Sequence, residues 1–153
     1  MLRISKLTDY AIIILGQMAR ADEQTFAAAE LADQTSIAMP TASKILKALA
    51  RAGIVTSTRG ARGGYALARK PEHTSVARII GALEGPIALT ECSAEQALCQ
   101  QSSSCDVRSH WNVINRAVQT ALESVSLADM IRPVSASTDE VPISLARLQP
   151  QPR

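Results

Sequence analysis

The stretch from Pro40 to Ala68 constrains this chain more than any other. Pro40 is a favoured first residue of a helix, and Gly53 is a favoured residue just past the end of one. Between them Ile45, Leu46 and Leu49 recur at helical spacing, while Lys44 and Lys47 fall on the other side. Ile54 to Ser57 and Tyr65 to Ala68 then read as two short strands around the glycine-rich turn Arg59-Gly60-Ala61-Arg62-Gly63-Gly64, which makes a hairpin. A short helix around Ala28 to Gln34 comes before, separated from Pro40 by a turn at Thr35 and Ser36. The order helix, turn, basic helix, hairpin predicts a winged helix-turn-helix with a small β-wing.

The flanking sequence predicts further helices. Ser5 can cap a helix over residues 6 to 21, in which Leu7, Ala11, Ile14, Leu15 and Met18 recur at helical spacing. Ile12 and Ile13 carry apolar surface to its other sides, which predicts a subunit contact as well as a core. Val76, Ile79, Ile80 and Leu83 give a fourth helix, stopped by Gly85-Pro86. Trp111, Ile114, Val118, Ala121 and Val125 step by three and four, the seam of a long helix that packs along another. From residue 133 the chain holds four prolines among Ser, Thr and Gln without a sustained period, so a disordered tail is expected. The expected organisation is mainly α: 1–86 a winged helix-turn-helix unit, 87–109 a cysteine-containing loop, 110–132 a dimerisation helix, and 133–153 the tail. At 153 residues a second independent core is not expected, and only one Phe, two Tyr and one Trp make the core aliphatic.

The net charge of +2 is unevenly spread. Between Asp33 and Glu72 there is no acidic residue but there are seven basic ones: Lys44, Lys47, Arg51, Arg59, Arg62, Arg69 and Lys70. A polyanion partner requires such an excess, although a solvated face gives the same pattern. In a helix-turn-helix the exposed N-terminal residues of the second helix meet base edges of double-stranded DNA, here Thr41, Ser43, Lys44 and Lys47. At the wing, Arg59 and Arg62 can meet phosphates or enter the minor groove. Near the N-terminus, Arg3, Lys6 and the run Ala11 to Leu15 imitate a secretion signal. Asp9 and Gln17 interrupt it, so a cytoplasmic helix is expected instead.

In a reducing compartment, Cys92, Cys99 and Cys105 point to metal or redox chemistry rather than disulfides. They lie among Ser93, Glu95, Gln96, Gln100, Gln101 and Ser102 to Ser104, which is no setting for core cysteines. Their spacing does not match paired C-x-x-C zinc ribbons. Thiolates are soft ligands suited to iron-sulfur clusters, zinc or copper, and a redox-active thiol trio is the alternative. Three thiolates leave a fourth ligand to be found, either His110 or a carboxylate. His110, beside Trp111 at a helix start, also reads as a surface or packing histidine, and His73 has no ligand context. The chain carries no Gly-rich phosphate loop and no nucleophile with a base, so it is not expected to be an enzyme.

These residues resemble the winged-helix iron-sulfur transcription regulators that include IscR and NsrR, and are most like the branch regulating the SUF cluster-assembly system. The likeness runs from residue 1 to about 132. It rests on Met1-Leu2-Arg3-Ile4-Ser5-Lys6-Leu7-Thr8-Asp9-Tyr10-Ala11, Ser43-Lys44-Ile45-Leu46-Lys47, Arg59-Gly60 with Gly63-Gly64-Tyr65, Ile87-Ala88-Leu89-Thr90-Glu91-Cys92, Cys99, Cys105, and Arg108-Ser109 before Trp111. It implies a homodimer clasped by C-terminal helices, a 2Fe-2S or 4Fe-4S cluster near the dimer interface on Cys92, Cys99 and Cys105, and repression of cluster-assembly genes. IscR-like members place a histidine ligand where this chain has Arg108, and SUF-type relatives usually show Asn at the position of His110. Asp9 sits where the NsrR-like group uses an aspartate from the partner subunit; its alternative role is favourable charge in the first turn of a helix.

Overall fold

The computed structural model describes residues 4–21, 24–60, 63–93 and 105–133. The first helix, α1 (Lys6–Arg20), begins where the side chain of Ser5 accepts the Thr8 N–H, the expected cap. Its inner face, Ala11, Ile14, Leu15 and Met18, is buried, whereas Ile13 lies exposed on the far side. Against α1 pack α2 (Ala28–Thr35) and α3 (Met39–Arg51). They are joined by a turn at Ser36, which takes the left-handed conformation at φ 55°.

The wing follows as β1 (Val55–Thr58) and β2 (Gly64–Leu67), antiparallel with Val55 opposite Leu67 and Thr58 opposite Gly64. Phe26, which no sequence pattern singled out, bridges the outer edge of β2. Its N–H donates to the Tyr65 carbonyl at 2.9 Å, and the Tyr65 N–H donates back to the Phe26 carbonyl at 2.8 Å. The Phe26 side chain is buried in the core. Gly64 permits this approach, because a Cβ there would collide with the Phe26 carbonyl oxygen.

Ser75 caps α4 (Val76–Glu84), which ends at Gly85 in a positive-φ conformation followed by Pro86. The C-terminal segment departs from one continuous helix. It forms α5 (Arg108–Ser124) and a separate α6 (Leu127–Ile131), leaving Val125 in neither. The break has a local and a distant cause. Ser126 and Asp129 form a reciprocal cap: the Ser126 hydroxyl accepts the Asp129 N–H at 3.1 Å, and the Asp129 carboxylate accepts the Ser126 N–H at 2.9 Å. The backbone groups beside the break pair with the residues before α4, since Val76 N–H donates to the Val125 carbonyl at 2.9 Å and Leu127 N–H to the Thr74 carbonyl at 2.7 Å. Helix α6 docks on α1 with Leu127 fully buried, and Ile131 sits so near Gly16 that a Cβ there would lie 3.0 Å from its Cγ2. No helix among the described residues is long and apolar enough to cross a membrane.

The C-terminal end of α4 is tied to the start of α1. Glu84 accepts the Ser5 N–H at 3.0 Å and the hydroxyl of buried Thr8. These bonds, the Thr8 hydroxyl foremost and then the Ser5 N–H, hold the Glu84 carboxyl below its ordinary value. A depressed folded-state pKa means that the stabilisation is complete above the unfolded value near 4.5 and is lost as pH falls through the folded one. Glu84→Gln is therefore expected to lower the urea midpoint at neutral pH, with the wild-type advantage shrinking in titrations carried below that value. Leu127→Ala is expected to cost about 2–5 kcal/mol in urea unfolding, because it empties a fully buried site between α6 and α1.

Candidate functional site

Helix α3 divides cleanly into two faces. Ala42, Ile45, Leu46 and Leu49 are buried against α1 and its neighbours, while Lys44, Lys47 and Arg51 stand exposed one turn apart. Thr41 and Ser43 are half-buried in the first turns, and the Ser43 hydroxyl lies 3.9 Å from the Met39 sulfur. The helix start has no side-chain cap at Ala38 and no acid in its first turn, so the positive end of its dipole is not offset locally. An anion is favoured at such an end. The start of α1 is the contrast, with Glu84 accepting there and Asp9 in its first turn.

In the wing, Arg59 is exposed at the end of β1, and Arg62 lies outside the described residues. Between described residues, Arg132 forms an ion pair with Asp129 at 3.5 Å. Lys44, Lys47, Arg51 and Arg59 are not neutralised by any described acid. The Phe26 bridge ties the hairpin to the chain entering α2, and β1 packs against α3. A projecting cationic helix beside a cationic hairpin suits the groove and backbone of duplex DNA.

The cysteine segment connects α4 to α5. After Pro86 the chain runs to a 3-10 turn, Glu91–Ser93, that carries the backbone of Cys92 and packs against α5. The Thr90 and Ser93 hydroxyls lie 2.9 Å apart, and the Ser93 N–H donates to the Thr90 carbonyl at 3.0 Å. At the other end Cys105 is a free, half-buried cysteine just ahead of α5, its carbonyl accepting the Arg108 N–H at 3.3 Å. Two of the three cysteine positions are thereby brought to the same helix. Cys99 lies outside the described residues. His110 is exposed in the first turn of α5, and Asp9 is exposed in the first turn of α1.

Sequence reasoning missed Asn115. It is the one residue of α5 classed as buried, and its amide accepts the Leu89 N–H at 2.9 Å and donates to the Ile87 carbonyl at 3.2 Å. The available signal was a lone amide among the apolar positions Trp111, Ile114 and Val118. On the same helix Trp111 is 40% and Ile114 45% exposed, so the seam read from the sequence is uncovered in the single chain.

A family model named Rrf2 and described as an iron-dependent transcriptional regulator matches residues 4–133. The protein rrf2 of Nitratidesulfovibrio vulgaris is 34% identical over 113 residues, spanning 74% of this chain and 75% of the relative. Among solved structures, the CymR global cysteine regulator of B. subtilis superposes with a TM-score of 0.64 at 29% identity, covering 86% of this chain and 97% of CymR. The IscR of T. potens gives 0.62 at 27% identity, covering 85% and 86%.

The exposed basic row yields a salt-dependence test. Lys47→Ala is expected to weaken duplex binding and to flatten the log-log salt dependence by about one unit if the ammonium meets a phosphate. Thr41→Ala is expected to change sequence preference more than salt slope, read by competition between operator variants at fixed ionic strength.

Proposed function

Because the chain belongs to the Rrf2 family, we propose that it is a cytoplasmic homodimeric repressor whose operator affinity follows an iron-sulfur cluster held on Cys92, Cys99 and Cys105. The coarse part of this is plain: the chain is a winged helix-turn-helix transcriptional regulator and not an enzyme, as its relatives are named. In the reading advanced here, α3 enters the major groove with Thr41, Ser43, Lys44 and Lys47, and Arg59 and Arg62 take the flanking backbone. Target genes of cluster assembly are suggested by the resemblance in residues 1 to about 132.

The observation that carries the cluster reading is the placement of Cys92 and Cys105 against α5, the helix whose Trp111 and Ile114 lie uncovered. A half-buried free thiol on a polar segment fits the soft donor set that a cluster takes. When bound, the cluster supplies a centre sensitive to oxygen, nitric oxide or iron supply. The protein's own contribution is to converge three thiolates and to complete the set with Asp9 of the partner subunit, in preference to His110. A carboxylate is a harder and weaker iron ligand than thiolate or imidazole, which leaves one position comparatively open. A second copy of α5 covering Trp111, Ile114 and Val118 accounts for the exposed seam.

A second reading, control by thiol oxidation or zinc, is favoured by the half-buried thiol of Cys105 and by the likeness to CymR, a global cysteine regulator. Anaerobic purification separates the two. The cluster reading expects a brown protein whose visible absorbance is lost in each of Cys92→Ala, Cys99→Ala and Cys105→Ala, with helical content kept. A colourless protein that binds zinc, or whose operator affinity follows oxidant alone, overturns it. Asp9→Ala is expected to shorten cluster lifetime and His110→Asn to leave it unchanged; the reverse pattern transfers the ligand role to His110.

A further inference from the structure

The segment between α4 and the cysteines is held at both ends by polar groups that packing alone does not require. At its start, Glu84 grips the first turn of α1 through the Ser5 N–H and the Thr8 hydroxyl. Three residues on, the Asn115 amide holds the peptide groups on either side of Ala88, taking the Leu89 N–H and giving to the Ile87 carbonyl. Those two groups flank Ala88, so a single side chain bridges two successive peptide groups of an irregular stretch. Burying an amide is costly unless both its ends are bonded, and here both are. An apolar residue would satisfy packing at this position, whereas the amide fork supplies a separate donor and acceptor side by side.

Two residues beyond Leu89 begins the 3-10 turn that carries Cys92. Beside the clamp, a cavity of about 510 Å³ lined in part by Ser75, Arg78, Pro86, Ile87 and Asn115 leaves the segment room to shift once released.

Resting on the cluster reading above, we infer that Asn115 is a positioning residue that couples the cysteine segment to the DNA-binding unit. It locks Ile87–Leu89 onto α5, so that a change at Cys92 is passed along a restrained stretch to Glu84 and the start of α1 rather than absorbed in a slack loop. Coupling between sites requires such an element with two arrangements, both biased by each site.

The test uses the full-length dimer carrying Asn115→Leu, and measures operator affinity with and without reconstituted cluster alongside amide exchange at Leu89 in the cluster-free protein. The variant is expected to keep dimerisation, cluster absorbance and cluster-free operator affinity within about twofold of wild type, while losing the cluster-dependent difference. Leu89 exchange is expected to rise by about tenfold or more, since its acceptor is gone. Asn115→Asp retains an acceptor for Leu89 but loses the donor to Ile87. It is expected to fall between the two, and it carries the same readouts should Asn115→Leu not fold. A wild-type cluster-dependent difference preserved in the variant, with Leu89 exchange accelerated, overturns the coupling role alone. If wild-type affinity itself does not respond to the cluster, the sensing reading fails and the coupling falls with it.

Discussion

The apolar face of α1 is the surface on which the remaining elements are assembled. Ala11, Ile14, Leu15 and Met18 are buried together with Leu31, Ile45, Leu46, Leu49, Ile79 and Leu127, drawn from every other described helix except α5. Burial of this aliphatic set is the main stabilising contribution, each Ile, Leu and Met side chain worth about 1.5–3 kcal/mol against exposure. Helices α2, α3, α4 and α6 all pack against α1.

That arrangement separates what is rigid from what is restrained by a few bonds. The winged-helix half is held by core packing and by the Phe26 bridge to the wing, with Lys44, Lys47 and Arg59 exposed on it. The α4 to α5 connection is held instead by hydrogen bonds at Glu84 and Asn115, and the start of α4 is paired with the break after α5. Hydrogen bonds of this kind contribute about 0.5–1.5 kcal/mol each.

The charge distribution follows the same division. The stretch without acids spans α3 and the wing, where the cations have no described ion-pair partners. Acidic side chains instead serve helix starts, as Glu84 does for α1 and Asp129 for α6. The start of α3 has no such acid, and its positive end favours an anion.

Local signals in the sequence determined the helices, their caps and the hairpin: Ser5 before α1, Pro40 in the first turn of α3, Gly85 after α4, and apolar periods that place Ile45, Leu46 and Leu49 inward. These depend on neighbours within a turn or two, so they are readable without the fold. The spacing of Cys92, Cys99 and Cys105 was likewise legible, though not where the chain places them. Only the tertiary structure decided that the C-terminal helix breaks at Val125 and Ser126. The Ser126 to Asp129 cap is local, but the groups that take up the freed backbone lie at Thr74 and Val76. The same holds for Phe26 on Tyr65, Glu84 on Thr8 and Asn115 on Ile87, the last two joining positions 76 and 28 residues apart. No periodicity encodes such pairs, because each polar or backbone group finds its partner only after the apolar faces have packed and excluded water from both.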